Sequence, residues 1–271
     1  MTRVNSLSQP IGDSDAEGVT SCQDAVDECQ GQLTSVSVIR RVVSLNLCTD
    51  QMLVLLAPEK IVALSSLARD AALSFVAAQA RALPVVRAAA EAVLPLHPDL
   101  VLAARYGAQT TLSLLEQFGI RVVRVDQPTN FAGIRAMARG LAAVLGVPAR
   151  GEALIAAMDA TLDRVPPPSR PATALALEPR FYTAQPGSMM DAVLRAAGLT
   201  NVATRNRIEL ETLLRHPPDL LVEPSVPAYP SLATAMLDTP VVAAIPRRHI
   251  PPALTICAGP FTARAVTMLA Q

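Results

Sequence analysis

The sequence predicts an α/β protein with two three-layer α/β lobes, each built on a mainly parallel sheet, joined by a single long backbone helix. Three observations lead to this fold class. Short β-branched segments alternate with helical segments along the chain. One unbroken helical pattern covers residues 148–165. A pattern of residues occurs once before this helix and once after it.

The linking helix is predicted from its apolar spacing and its ends. Pro148 suits a first helical position, and a run of three prolines from Pro166 stops the helix. A helix of roughly 18 residues is about 27 Å long, close to the width of a small domain. The alternative is an ordinary helix within one compact domain, but the repeated pattern on its two sides favours a linker.

The repeated pattern lies at residues 91–100 and 211–220. Each copy has a glutamate on a short predicted helix, Glu91 or Glu211, then a Pro-Asp pair and an apolar strand. The glutamate and the aspartate are eight residues apart in both copies. An acid early in a helix favours the helix dipole, which is the simpler explanation of both glutamates. The alternative is a pair of docking points for a two-fold symmetric partner.

The remaining elements follow from β-branched runs and from helix-capping residues. In the first lobe, strands are predicted at residues 40–45, 60–64, 99–103 and 121–126, and helices at 51–57, 71–81, 88–96, 110–118 and 131–145. In the second, strands are predicted at 172–178, 219–223 and 240–245, and helices at 189–197, 208–215, 229–237 and 260–270. The predicted domains are therefore a disordered tail or misassigned start at 1–37, a first lobe at 38–147, the helix at 148–165 and a second lobe at 166–271.

The composition argues against several kinds of protein. The chain has 23 basic and 23 acidic residues without a basic patch, so we expect no nucleic-acid partner. No apolar run reaches the roughly 18 residues that cross a membrane. Residues 1–37 are polar and lack the apolar segment of a secretory signal. With 3% aromatic residues and no Trp, a site with stacked aromatic walls is not expected.

The four cysteines fall into two groups. Cys22 and Cys29 lie in the polar tail, where they either pair in an oxidising compartment or remain free thiols. Cys48 and Cys257 lie in apolar surroundings, so we expect small core or cleft residues there.

Candidate ligand contacts come directly after predicted strands, because parallel sheets bind ligands beyond the carboxyl ends of their strands. Two facing lobes would bring these loops into one cleft. Arg105 with Tyr106, and Tyr182 with Gln185, are the strongest candidates, since they are large polar groups in loops of small residues. The full set of predicted cleft residues is Asn46, Leu47, Cys48, Ser66, Arg69, Arg105, Tyr106, Tyr182, Gln185, Arg205, Arg207 and Glu223.

No sequence motif indicates catalysis. The chain lacks the nucleophile-elbow, phosphate-loop, dinucleotide and HExxH patterns. Of the three histidines, His97 and His216 precede prolines at strand starts, and His249 follows two arginines. We therefore expect no direct metal ligands, no resident cofactor and no enzyme. The alternatives are a two-lobed enzyme acting on a small anion and a cytoplasmic chelate-binding sensor.

Several segments resemble the periplasmic substrate-binding proteins of cobalamin and ferric-siderophore ABC importers. They include RRVVSLNLCTDQMLVLL, ExxLxLHPDLVLA and ELETLLRHPPDLLVEPS, and the resemblance covers residues 40–271. It implies two α/β lobes bridged by one helix, a monomer with a metal chelate in the cleft, and a periplasmic location. It also implies that Glu91 and Glu211 dock onto arginines of a membrane permease dimer.

The likeness has two departures. Cobalamin-binding members line their site with Trp, which is missing here, whereas binders of hydroxamate siderophores use Arg and Tyr, as at Arg105, Tyr106 and Tyr182. The family usually has a Gly shortly before the first docking glutamate, and this chain has residues 87–90 (RAAA) there.

Overall fold

The computed structural model describes residues 38–225 and 240–270. The predicted tail at 1–37 and the predicted helix at 229–237 lie outside the described residues. None of the helices within the described ranges has the length and apolar character of a membrane span.

The first sheet has four parallel strands in the order β2-β1-β3-β4. Its strands are β1 (Val42–Ser44), β2 (Ile61–Ala63), β3 (Leu100–Ala104) and β4 (Arg121–Val125). Its helices are α1 (Leu47–Leu56), α2 (Ala77–Ala80), α3 (Ala90–Val93), α4 (Gln109–Gln117) and α5 (Phe131–Val144), with 3-10 turns at Pro58–Lys60, Ser66–Arg69 and Leu94–Leu96.

The linking helix, α6, spans Pro148–Leu162 and ends three residues before its predicted end. It packs along α5, where Gly151 is needed because a Cβ at that position would lie 2.6 Å from the Cβ of Ala142. Farther along, Met158 is buried in a cluster with Ala258 and Ala263 from the end of the chain. The helix therefore contacts both lobes.

The second sheet has the order β6-β5-β8-β9, and β7 pairs with the start of β5. Among the described pairs of this sheet, β5–β6 is antiparallel and the others are parallel. Its strands are β5 (Ala172–Glu178), β6 (Tyr182–Thr183), β7 (Leu199–Asn201), β8 (Leu220–Pro224) and β9 (Arg247–Ile250). Its helices are α7 (Met189–Ala196), α8 (Leu210–Arg215), α9 (Pro240–Ala243) and α10 (Ala263–Leu269), with 3-10 turns at Pro179–Phe181, Pro252–Leu254 and Pro260–Thr262.

Both sheets are covered by helices on their two faces, which explains the nearly continuous apolar runs in their strands. In β3, Leu100 and Leu102 pack against α1, α5 and α6, while Val101 faces α3 and α4. In β5, Ala174 and Ala176 face α7 and α10, while Leu175 faces α8 and α9. The chain thus has two three-layer α/β lobes joined by one helix, as predicted.

Two predicted elements are wrong. Residues 240–245 do not form a strand: Pro240–Ala243 is helical and the strand follows at Arg247–Ile250. An apolar run without alternation does not distinguish a helix from a buried strand, and the charges in β9 concealed it. In residues 71–81 only Ala77–Ala80 is helical, after a series of turns.

Candidate functional site

The carboxyl ends of the two sheets meet. Cys48, just after β1, forms a disulfide with Cys257, after β9, and their Cα atoms are 5.2 Å apart. The amide of Ala258 donates to Oε1 of Gln127, which follows β4, at 3.4 Å. These contacts join loops that follow strands in both lobes, so the two sets of strand ends face each other as the sequence predicted.

Cys48 and Cys257 pack in the core of the second lobe, which agrees with the expectation of small core or cleft residues. The sequence did not indicate that they form a covalent bond between the lobes. They are 209 residues apart in sequence, and no local pattern pairs residues at that distance. The bond is reinforced by a stacked pair, Phe75 and Phe261, whose ring centroids are 4.8 Å apart. The guanidinium of Arg264 lies 4.7 Å from the ring centre of Phe75. We call the residues Cys48, Phe75, Gln127, Cys257, Ala258, Phe261 and Arg264 the junction.

The loop after β3 presents Arg105 and Tyr106. Tyr106 is 84% exposed. Arg105 forms a bidentate ion pair with Asp126 at the end of the neighbouring strand β4, with Nη2 2.5 Å from Oδ2. Hydrogen bonding from the guanidinium lowers the pKa of Asp126, so the pair stays ionised. The pair is exposed and adds little stability, but it fixes the direction of a cationic group beside the tyrosine.

The loop after β5 presents Tyr182, which is 46% exposed. Just before it, Arg180 and Phe181 have φ of 64° and 63°, a conformation that costs about 1–2 kcal/mol for each non-glycine residue. Phe181 is 7% exposed and anchors the loop in the second lobe's core. Next to Tyr106, Gly107 and Ala108 also have positive φ, of 90° and 53°. Each tyrosine therefore adjoins a tight turn with two successive left-handed residues.

Of four other predicted residues in the first lobe, Asn46, Leu47 and Arg69 have structural contacts and Ser66 is exposed. Asn46 caps α1, since its side chain accepts from the Cys48 amide at 2.9 Å. Leu47 is 6% exposed and packs in the core of the second lobe, so its side chain does not line an open cleft. Ser66 is exposed at the start of a 3-10 turn. Arg69 is exposed, and its guanidinium donates to the carbonyls of Ala80 and Leu83.

In the second lobe, Gln185, Arg205 and Arg207 are exposed. Arg207 pairs with Tyr182 in an isolated bridge and donates from Nε to the carbonyl of Arg180 at 3.1 Å. Arg205 and Arg207 also line a hollow of about 640 Å³ that extends along the lobe to His216. His216 precedes β8, at the opposite edge of the sheet from the junction, so only one end of this hollow adjoins the strand ends.

Glu223 differs from the other charged residues among the predicted cleft residues because it is buried. Its side chain is 4% exposed and lies 3.4 Å from the guanidinium of Arg247 and 3.9 Å from Nδ1 of His249. Both partners belong to β9, which pairs with β8. These contacts tie the last two strands together at their carboxyl ends.

A buried acid that the sequence analysis missed lies beneath the strand ends of the first lobe. Asp50 is fully buried on α1, and it accepts from the amide and the hydroxyl of Ser65, at 3.2 and 2.5 Å. Burial raises its pKa to about 7, although hydrogen bonds from Ser44 and Ser65 oppose the rise. Asp50 directly precedes a predicted helix, a position where a carboxylate is usually exposed as a helix cap, so nothing in the sequence indicated its burial.

Two exposed apolar residues were also missed. Leu67 follows β2 and is 47% exposed, and Ile256 follows β9 and is 51% exposed. Ile256 stands beside the buried Cys257, and its amide donates to the carbonyl of Pro252 at 2.8 Å. The strand ends therefore present apolar groups as well as phenols and guanidinium groups. Among the described residues, no cluster of three or more His, Cys, Asp or Glu is arranged to hold a metal ion.

The repeated pattern forms the same structure in each lobe. Oδ2 of Asp99 accepts hydrogen bonds from the backbone amides of Arg40 and Arg41, which lie just before β1, both at 2.9 Å. Asp219 accepts from the amide and the hydroxyl of Thr173 in β5, both at 2.7 Å. Each aspartate thus fixes the start of the neighbouring strand. The glutamates Glu91 and Glu211 are exposed in the first turns of α3 and α8, and within the described ranges neither forms an ion pair.

Comparison with solved structures identifies the fold. A possible iron-binding, periplasmic solute-binding protein from Staphylococcus epidermidis is 17% identical over 86% of this chain and 98% of its own, with a TM-score of 0.71. A periplasmic heme-binding protein from Pseudomonas aeruginosa is 24% identical over 86% and 91%, with a TM-score of 0.66. A protein of an Fe³⁺-hydroxamate transport system from Saccharomonospora viridis is 20% identical over 85% and 92%, with a TM-score of 0.62.

At these identities the similarity shows the fold, and no curated protein matches the chain significantly. A comparison of the sequence with models of protein families shows the family. The family model described as periplasmic binding protein matches residues 42–246, more than half of the chain. Members of this family bind solutes for transport and are not enzymes. The chain belongs to the periplasmic binding protein family.

Proposed function

We propose that this protein is the solute-binding component of an ABC importer that captures a metal chelate between its lobes and delivers it to a membrane permease outside the cytoplasm. The observation that carries the proposal is the matched pair of loops: Tyr106 and Tyr182 each adjoin a tight turn at the carboxyl end of a strand, one in each lobe. Backbone strain of this kind persists where the surrounding structure holds it, and it is concentrated at functional sites.

The groups at the strand ends suit a chelate with anionic edges and an apolar body. The Arg105 guanidinium is aimed by Asp126 and can pair with a carboxylate or hydroxamate oxygen. Leu67 and Ile256 offer apolar contact. Phenol oxygens can donate to the ligand or approach its metal. The similar structures include a possible iron-binding protein, a heme-binding protein and a protein of an Fe³⁺-hydroxamate transport system, which supports a ferric chelate over a corrinoid.

Delivery requires a partner, and the two lobes offer equivalent acidic points for it. Glu91 and Glu211 are exposed at the same place in the repeated pattern, which suits a permease with two-fold symmetry. Because each forms no ion pair among the described residues, each carboxylate is available to a basic group. The protein itself carries out no chemical step, and ATP hydrolysis belongs to another subunit of the importer.

Ligand capture is tested by thermal shift against three probes: hemin, a ferric trihydroxamate and cobalamin. A ligand bound only by the native state raises the melting temperature by mass action, with about 2.7 kcal/mol of stabilisation at 100 times Kd. We expect a shift with hemin or the trihydroxamate. No shift with any probe would contradict the proposal.

The site is tested with Tyr106→Phe and Tyr182→Phe, which keep the rings and remove the hydroxyls. We expect each to weaken binding by about tenfold, because a buried ligand group loses a hydrogen bond worth about 1.4 kcal/mol. Phe118→Ala is the control, since Phe118 is 63% exposed at the end of α4, away from the strand ends. Equal affinities in all variants would place the ligand elsewhere.

Docking is tested by uptake with Glu91→Lys and Glu211→Lys. We expect normal ligand binding and a loss of uptake, because charge reversal replaces attraction by repulsion at each permease subunit. Asp163→Lys is the control, an exposed acid just after α6. Unchanged uptake in the double glutamate variant would refute docking through these residues.

A further inference from the structure

The chain crosses between the lobes at α6, and the junction joins them a second time. Cys48 lies in the first turn of α1 in the first lobe, and Cys257 lies between β9 and α10 in the second. A lobe that pivots about one helix can twist or open, whereas two separated attachments remove most of that freedom. The described structure therefore holds the two sets of strand ends at a fixed separation.

Most of the junction depends on one short segment near the end of the chain. Residues 257–264 supply Cys257, Ala258, Phe261 and Arg264, and all four contact groups of the first lobe. The first three are between 1% and 6% exposed. Besides the disulfide, this segment is held to the first lobe by a stacked pair, a cation–π contact and a hydrogen bond of 3.4 Å, which are weak contacts individually. Apolar packing adds to them: Ala258 and Ala263 share a buried cluster with Ile134 of α5, and Phe261 shares another with Leu47.

We propose that the Cys48–Cys257 disulfide is a redox-sensitive lock that fixes the spacing of the lobes. A dithiol reductant opens it: one thiolate attacks a sulfur of the bridge and the S–S bond breaks. The second thiol then resolves the mixed disulfide. The protein takes up two electrons and two protons to give two cysteine thiols, and the reductant leaves as a disulfide. Reduction removes the covalent part of this attachment and leaves the segment held by its noncovalent contacts, so the lobes gain freedom to separate.

The lock should also affect how tightly the cleft holds its ligand, an inference that rests on the proposed function. Ile256 is next to Cys257, and Asn46 and Cys48 follow β1 directly, so the disulfide adjoins the predicted ligand contacts. A cleft of fixed spacing binds a rigid chelate without a cost for ordering the lobes. The reduced protein therefore releases its ligand more readily than the oxidised protein.

The test uses the full chain with Cys22→Ser and Cys29→Ser, so that the tail thiols cannot exchange with the bridge. Hydrogen exchange is followed by mass spectrometry before and after treatment with dithiothreitol. We expect exchange in residues 252–264 and in α10 to become at least about tenfold faster on reduction, with β3 and β4 unchanged. The addition of Cys48→Ala and Cys257→Ala provides the control: it should reproduce the fast exchange and respond no further to dithiothreitol.

Two results would overturn the lock. The first is that Cys48 and Cys257 react as free thiols in protein recovered under oxidising conditions. The second is that reduction leaves exchange in residues 252–264 unchanged. The effect on the ligand is read separately, as the dissociation rate of hemin or the ferric trihydroxamate from oxidised and reduced protein. If neither probe binds, the proposed function fails while the exchange result still decides the lock.

Discussion

The two lobes share the turn that opens a central strand but neutralise their buried acids differently. Asp99 and Asp219 perform the same task at equivalent positions, each holding the start of a neighbouring strand. In the first lobe, by contrast, the buried Asp50 has hydroxyl and amide partners and a pKa of about 7. In the second, the buried Glu223 faces Arg247 and His249.

The comparison separates features of a lobe that a local sequence pattern specifies from features that depend on packing between distant elements. The aspartate turn is specified by a local pattern, so it recurs in sequence and in structure. The buried acids depend on neighbours from distant elements, so the lobes differ there. The lobes should accordingly respond alike to changes in the turns and differently to changes in pH.

The largest effect is expected when the lobes lose their covalent link. Cys48→Ala with Cys257→Ala should lower the free energy of unfolding by about 5 kcal/mol, since a bridge across a loop longer than 100 residues constrains the unfolded chain strongly. Urea unfolding measures this. We also expect the disulfide-bonded protein to unfold in one transition and the double variant in two, one for each lobe. A change below about 1 kcal/mol would show that the lobes are held by other contacts.

The next effect is specific to the first lobe and depends on pH. The pKa of Asp50 is raised in the native state, so the native protein binds more protons than the unfolded chain between about pH 4 and pH 7. Its contribution is full below pH 4 and is lost as the pH rises through 7. Stability should fall by about 3 kcal/mol from pH 5 to pH 8. Asp50→Asn should remove this slope in urea titrations, and a retained slope would assign it to another group.

In the second lobe, Glu223→Gln should be destabilising by about 3 kcal/mol at both pH 5.5 and pH 8, because it removes a charge that faces the largely buried Arg247. Because arginine side chains are not deprotonated in proteins, the loss should not depend on pH as the Asp50 effect does. Thermal unfolding at the two pH values measures it. Unchanged stability at both pH values would show that the contact between Glu223 and Arg247 does not stabilise the second lobe.

The smallest effect tests the feature that the lobes share. Asp99→Ala and Asp219→Ala should each lower the melting temperature by a small and similar amount, since each leaves two hydrogen-bond donors without their partner. The controls are Glu91→Ala and Glu211→Ala, which should change stability by less than about 0.5 kcal/mol because both side chains are exposed. Unequal aspartate effects would show that the two turns are not equivalent.

The sequence was sufficient for the lobes, the linking helix and the placement of Arg105, Tyr106 and Tyr182 after strands, because these depend on local periodicity and on a repeat. It was insufficient for the junction, since Cys48 and Cys257 are paired only by the packing of distant elements. It also failed at β9, where charged residues form a strand because Glu223 lies opposite them. The domain limits and the ligand contacts stay predictions.

The central claim is that one ligand lies between the carboxyl ends of both sheets. Hydrogen exchange with and without the probe that gives the largest thermal shift tests it most directly. We predict protection of residues 104–107 in the first lobe and of residues 180–185 in the second at the same ligand concentration. Protection confined to one lobe, or to the hollow near His216, would contradict it.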